Sequence, residues 1–239
     1  MNVAFYSAST GLIQTQRSLN ITANNIANVN TAGFKAMRSS FADLIYTNPK
    51  AGLPELKEGH GAHIAKTDLM FSIGQLEMTD QLLDFAIPSE GFFAVMDGGG
   101  TVGYTKDGSF SVSEMGGAWY LVNKNGSRVL DNNSLPIVVS HNDFGEIDYS
   151  EIINAIGVFT FDNPYGAEAV GDNLYMPTQS SGQPVANPNL DKLAGALERS
   201  NVDLANEMIK TIETQRAYQL NARIVQTADE LERIANSLR

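Results

Sequence analysis

Apolar residues recur every seven positions at the start of the chain, at Phe5, Leu12, Leu19 and Ile26, with Ala8, Thr15, Thr22 and Val29 three residues after each. This spacing places both sets on one helical face and predicts an amphipathic helix that stops before Thr31-Ala32-Gly33, where glycine suits a helix stop or turn. The stripe is narrow and its second set is small or polar, so the helix is weak alone. The other end reads as one long helix from Leu193 to Leu238, without proline and, after Gly195, without glycine. Ala217, Leu220, Ile224, Ala228, Leu231, Ala235 and Leu238 alternate by three and four along it. Leu204, Met208, Ile209 and Ile212 form a second patch, rotated from the first by the polar Gln215 and Arg216. Ser200-Asn201 ahead of Val202-Asp203 either caps this helix or interrupts it.

Between the ends the period falls to two. Gly91–Met96 is followed by the turn signal Asp97-Gly98-Gly99-Gly100, then Thr101–Tyr104, Asp107-Gly108, Ser109–Val112, Trp119–Val122, Asn125-Gly126 and Ser127–Leu130. Leu135–Val139 and Ile156–Phe161 add two apolar strands. Short strands separated by Asp-Gly and Asn-Gly turns predict an antiparallel β domain. The expected class is α+β, with a β-rich central domain and terminal helices that pair into a coiled-coil-like assembly domain. The expected organisation is an N-terminal helix over 1–34, a connector over 35–65, the β domain over 66–185 and a C-terminal helix over 190–239. A narrow pair of helices outside a globular domain leaves apolar surface uncovered, so self-assembly is the first functional expectation.

Composition sharpens this picture. The chain has 239 residues, 43% of them hydrophobic, and no cysteine, which excludes disulfide scaffolds, thiolate metal sites and cysteine nucleophiles. The net charge of −11 is uneven. Residues 1–50 carry four bases against one acid, residues 191–239 seven against eight, and the stretch between five against 18. An acidic middle between near-neutral ends argues against nucleic acid as a partner. The first twenty residues lack the basic start and apolar run of a secretory signal, and no stretch is long and apolar enough to insert into a membrane.

Candidate chemistry is sparse. His60 and His63 stand three apart in a glycine-rich stretch with no third ligand in reach, and read as connector histidines rather than a metal pair. The Asp97 loop lacks the Lys-Ser/Thr and strand–loop–helix context of a phosphate cradle. His141–Asp148 alternates oxygen donors without calcium-loop spacing. No nucleophile, base and orienting group assemble, so the reading is a non-enzyme without cofactor or metal. Two other classes stay in play: a β-domain binding module dimerising through its helices, and a hydrolase using His60 and His63.

The longest motif lies at the N-terminal end. Ala23-Asn24-Asn25-Ile26-Ala27-Asn28-Val29-Asn30-Thr31, followed by Gly33-Phe34-Lys35, resembles the N-terminal signature of the bacterial flagellar rod and hook proteins. The stretch Leu197–Asp203, with Glu207-Met208, Gln215-Arg216-Ala217-Tyr218, Asn221 and Thr227–Glu230, is similar to that family's closing helix. Leu83–Ile87, Gly91-Phe92-Phe93, Tyr104–Phe110 and Gly171–Tyr175 resemble its β-domain signature. The similarity spans nearly the whole chain and looks nearest to the distal-rod members, with proximal-rod members next. Two departures stand out: Pro88-Ser89-Glu90 precede Gly91 where a glycine is expected, and the stretch from Phe34 to Phe92 is short.

The resemblance implies a rod subunit of the flagellar basal body, passed unfolded through the flagellar type III export apparatus. It implies a helical homopolymer whose terminal helices form an inner tube, contacting neighbouring rod and hook proteins and serving as a drive shaft. On that expectation the assembly contacts are Phe5, Leu12, Leu19, Ile26, Val29 and Phe34, with Asn24, Asn25 and Asn28 bonding across subunits. The C-terminal contacts are Leu204, Met208, Ile212, Gln215, Arg216, Tyr218, Leu220, Asn221, Ile224, Leu231 and Leu238.

Overall fold

The structure, a computed structural model, describes residues 3–44, 46–47, 58–140 and 149–238. Three α-helices, α1 (Val3–Ala27), α2 (Tyr149–Ala155) and α3 (Leu204–Ser237), occur among the described residues. The chain divides into a helical unit, made of the residues up to Ala27, Met37–Leu69 and those from Val202 on, and a β unit of Asn28–Ala36 and Met70–Asn201.

The helical unit holds α1, α3 and strands β1 (Met37–Asp43), β2 (Tyr46–Thr47), β3 (Glu58–Gly59) and β4 (Ala62–Leu69). β1 and β4 pair antiparallel from Met37 with Leu69 to Asp43 with Ala62, with a bulge at Ser40/Phe41. The two long helices run antiparallel, since Gly11 lies beside Asn221 and Asn25 donates to Glu207 Oε2 at 3.2 Å. Their packed faces are small and polar rather than apolar. Ala8, Gln14, Thr22 and Asn25 are the buried residues of α1, and Glu207 and Ala228 those of α3. Asn25 Nδ2 also donates to the Met37 carbonyl at 2.8 Å, and its Oδ1 accepts from the Met37 amide at 2.9 Å. Gln14 Oε1 accepts from the Ile64 amide at 3.0 Å. Amide side chains thus replace ladder partners that backbone alone would leave unpaired.

Several boundaries differ from the sequence expectation. The C-terminal helix starts at Leu204, not near 190, because Gly195 takes φ +74°, outside the helical region, and Leu193–Glu198 pairs as strands. Its cap is Asp203, whose side chain accepts from the Ala205 and Asn206 amides and contributes about 1 kcal/mol. Ser200-Asn201 is therefore not the cap. The 35–65 connector contains β1 and much of β4, since inserted side-chain partners let a weakly patterned stretch pair. Residues 48–57 of that connector, and His141–Asp148, lie outside the described residues.

The β unit contains β5 (Leu76–Met78), β6 (Phe85–Ala86), β7 (Phe92–Met96), β8 (Val102–Thr105), β9 (Phe110–Met115), β10 (Ala118–Asn123) and β11 (Arg128–Val129). After α2 follow β12 (Val158–Thr160), β13 (Glu168–Gly171), β14 (Leu174–Met176), β15 (Val185–Ala186), β16 (Leu193–Ala194) and β17 (Ala196–Glu198). The main sheet runs β13-β14-β8-β7-β11-β10-β9, with β12 joining β7 to β15. β7 is central and buried on both faces, which is why it reads as an unbroken apolar run. Its Phe93 and Val95 enter a core with Phe110, Leu121, Val129, Ile152 and Ile156. Phe92 turns the other way, meeting Phe71, Phe161 and Tyr175 edge to face with centroids 5.2 to 5.8 Å apart.

Asp107-Gly108 is not a hairpin turn. β8 pairs with β7 and β14, whereas β9 turns back on β10 at Gly116-Gly117, so this dipeptide carries the chain between separate parts of the sheet. Leu135–Val139 forms isolated bridges rather than a strand, at Pro136 with Leu130 and Val138 with Tyr120.

Candidate functional site

Three charged side chains from distant parts of the sequence meet inside the β unit. Lys35, Lys106 and Glu198 are 1%, 3% and 1% exposed. Lys35 Nζ lies 2.6 Å from Glu198 Oε1 and donates to the Ser72 carbonyl at 2.8 Å. The Gly74 amide donates to the same carboxylate oxygen at 2.8 Å. The other oxygen has Lys106 Nζ at 3.5 Å, an ion-pair contact too long for a good hydrogen bond. Lys106 donates instead to the Ser89 carbonyl at 2.7 Å and sits 5.6 Å from the Phe92 ring centroid.

Each placement has a local cause. Gly33 takes φ +66°, and a Cβ there would stand 2.4 Å from the Lys106 carbonyl carbon, so only glycine lets this turn press against that backbone. The Gly33 amide donates to the Glu198 carbonyl at 2.7 Å, aligning the two segments so that Lys35 reaches the carboxylate. Asn201 continues the joint. Its Oδ1 accepts from the Ala36 amide at 2.8 Å, and its Nδ2 donates to the Met70 carbonyl at 2.6 Å and to Ser72 Oγ at 2.9 Å.

The buried trio itself holds two cations and one anion, and the nearby Glu90 carboxylate favours the Lys106 charge as well. Burial pushes the Lys106 ammonium down to about 8, with Glu198 opposing that shift and Lys35 adding to it. Burial and the Glu198 charge raise the Tyr175 hydroxyl. A carboxylate held between ammonium groups offers neither nucleophile nor open coordination position. What the arrangement does is fix one geometry: breaking a buried pair costs about 3–5 kcal/mol, although forming it adds little net stability. Sequence reasoning missed this role. The available signal was that Gly33-Phe34-Lys35, Tyr104–Phe110 and Leu197–Asp203 each contain a member of the trio.

The expected assembly residues separate into several groups. Leu12, Leu19 and Ile26 are half-buried on α1 while Phe5 is 38% exposed. Asn24 is exposed and Asn28 half-buried. Asn25 is 1% exposed and commits its amide to Met37 and Glu207 of its own chain, an internal stitch between α1, β1 and α3. Val29 and Phe34 lie beyond α1, in the β unit.

On α3, Asn221 is half-buried beside Gly11, and Gln215 and Arg216 are exposed. The apolar positions do not line the contact with α1. Leu204, Met208, Ile212, Tyr218 and Ile224 are all exposed, and Leu220, Leu231 and Leu238 are 60%, 62% and 83% exposed. The stripe turned inward runs through Glu207, Thr211, Thr214, Ala217, Asn221, Val225 and Ala228, leaving the apolar seam outside. No helix among the described residues is long and apolar enough to cross a membrane.

Elsewhere, His63 lies on β4 opposite Ala42, with Nδ1 buried and unpartnered. Among the described residues no three His, Asp or Glu side chains group as metal ligands.

Known families match the same three regions that build the cluster. Residues 5–35 match the flagella basal body rod protein family. Residues 86–161 match the flagellar hook protein FlgE/F/G D1 domain, and residues 193–238 the flagellar basal body rod FlgEFG protein C-terminal family. Over 263 aligned positions the chain is 36% identical to the flagellar basal-body rod protein FlgG of Borreliella burgdorferi, covering 99% of this chain and 98% of that one. It is 32% identical to FlgG of Bacillus subtilis, over 95% of this chain and 96% of the relative. It is 29% identical to the flagellar hook-basal body complex protein FlhP of the same organism, over 98% of each. With matches to the N-terminal, D1 and C-terminal families and this identity over almost its full length, the chain belongs to the flagellar basal-body rod protein family.

Proposed function

We propose that this chain is a structural subunit of the flagellar basal-body rod, of the distal-rod kind, polymerising helically through α1 and α3 into the shaft that carries torque towards the hook. The observation that carries the reading is the seam on α3. Met208, Ile212, Leu220 and Leu231 stay more than half exposed although the helix has a partner in its own chain. Each such side chain gains about 1.5–3 kcal/mol when fully buried, which neighbouring subunits supply in a polymer. The acidic β unit then remains in solvent, and the chain works without catalysis or a cofactor. Its partners are further copies of itself, adjoining rod and hook proteins, and the flagellar type III export apparatus that delivers it.

Within Bacillus subtilis the identity to FlhP, 29%, stands close behind the 32% to FlgG, and this small gap carries the second reading, a proximal-rod or hook-basal-body subunit. Complementation separates the two. A strain lacking its own FlgG should regain complete rods and motility when it expresses this chain. Rescue of a strain lacking FlhP, with none of the FlgG-deficient strain, would support the second reading instead.

A further inference from the structure

The buried trio has a consequence for how the two crossings of the chain into the β unit become ordered. We infer that Lys35 and Glu198, with Lys106 behind them, form a latch that makes the segment after α1 (28–36) and the segment before α3 (196–201) order only together. The inference concerns the β unit alone and stands whether or not the rod reading holds.

The two segments bond to each other at several points. Besides the Lys35–Glu198 pair, the Gly33 amide donates to the Glu198 carbonyl, the Asn201 amide to the Phe34 carbonyl at 3.4 Å, and the Ala36 amide to Asn201 Oδ1. Each segment is also anchored on the rest of the unit, the first by fewer bonds than the second. The first segment has the Ala32 carbonyl accepting from Asn173, the Lys35 bond to Ser72, and the Ala36 carbonyl accepting from the Met70 amide. The second has the β5–β17 ladder, the Arg199 amide bond to the Gln75 carbonyl, the Gly74 amide and the Asn201 contacts.

Charge is what converts these shared bonds into a condition. If 28–36 detaches, Glu198 keeps only the distant Lys106 as counterion. If 196–201 detaches, Lys35 and Lys106 lose the carboxylate between them, and only Glu90 still attracts Lys106. An unpaired buried charge is disfavoured strongly enough that the remaining segment follows into water. Asn201 adds a neutral version of the same dependence, because its side chain bridges Ala36 to Met70 and Ser72.

Native-state hydrogen exchange on the full chain, in increasing sub-denaturing guanidinium, reads this directly. The informative amides are Phe34, which bonds to Thr31 inside its own segment, and Arg199, which bonds to Gln75; neither bonds across the latch. Both should open in one step, with equal free energy and equal denaturant dependence, before the β7 and β10 amides. In Lys35→Met, Arg199 should lose protection on the order of 100-fold, and in Glu198→Gln, Phe34 should lose as much, with β7 still protected. The double variant should lose no more than either single one. Phe34 and Arg199 opening at different free energies in the native chain, or each substitution exposing only its own segment, would overturn the inference. Simultaneous loss of the β7 amides with both segments would overturn it too, as it would mean global unfolding rather than a local latch.

Discussion

Lys35 Nζ stands 2.6 Å from Glu198 Oε1 across 163 residues of sequence, and both side chains are 1% exposed. One residue lies eight positions past the end of α1, the other six before the start of α3. The β unit therefore fastens the inner end of each terminal helix's connecting segment to the same buried carboxylate. The members of the trio differ sharply in what their removal should do.

Glu198→Gln should destabilise the β unit by about 3 kcal/mol or more, because it removes the carboxylate from between two buried ammonium groups. Lys106→Met should cost less, since Lys35 and the Gly74 amide still hold the carboxylate and a methionine keeps contact with Phe92. Guanidinium denaturation followed by Trp119 fluorescence would rank them. The ranking fails if Lys106→Met proves the more damaging.

Lys106 also makes a pH prediction. Its folded value is lowered from 10.5 to about 8, chiefly by burial. From pH 8 upwards the folded chain releases this proton while the unfolded chain still holds it, so the unfolded state binds more protons and stability rises with pH. The gain is bounded at about 3 kcal/mol if the full interval to 10.5 is used. Near pH 10 the raised Tyr104 and Tyr175 hydroxyls act the other way, since unfolding then releases their protons. Between pH 8 and 9.5 the wild-type chain should gain stability relative to Lys106→Met. Parallel curves across that window would contradict the assignment.

Gly33→Ala combines a φ of +66° with a Cβ 2.4 Å from the Lys106 carbonyl carbon. The atoms it would meet are all backbone of Lys106 and Asp107 and cannot swing aside, so the expected loss is about 3 kcal/mol or more, read as a drop in Tm. A drop of only a degree or two would mean that the turn relaxes.

Asn25→Ala should remove three hydrogen bonds in the helical unit and leave the Met37 amide and carbonyl unmet. The expected cost is about 2 kcal/mol. Faster amide exchange at Met37 and along β1 would register it, and unchanged exchange there would count against the stitch.

Much of this fold was legible from residue pattern alone. α1 follows from its seven-residue repeat, and β7, β8 and β10 from runs bounded by glycine-rich turns. The start of α3 was not legible, because Leu193–Glu198 has helical composition and only the Gly195 conformation and pairing with β5 and β6 make it strand. β1 was hidden because Met37–Asp43 does not alternate, and its place depends on Asn25, twelve residues back. The charged trio was least legible. Lone Lys and Glu residues are almost always solvated, and nothing local distinguishes the ones that meet a distant partner. The apolar positions of α3 are legible from their spacing, but which face of the helix meets α1 is not, since spacing does not say which face finds a partner in the same chain.

The central claim is that the exposed seam of α3 is where subunits join, and a Leu220→Asp, Leu231→Asp double variant tests it most directly. Both side chains are more than half exposed, so the purified variant should unfold within about 0.5 kcal/mol per substitution of the unaltered chain. Expressed in a strain lacking its own FlgG, the unaltered chain should build complete rods in isolated basal bodies, and the stably folded variant should build none. Rods of normal length from the variant, visible by electron microscopy, would contradict the account.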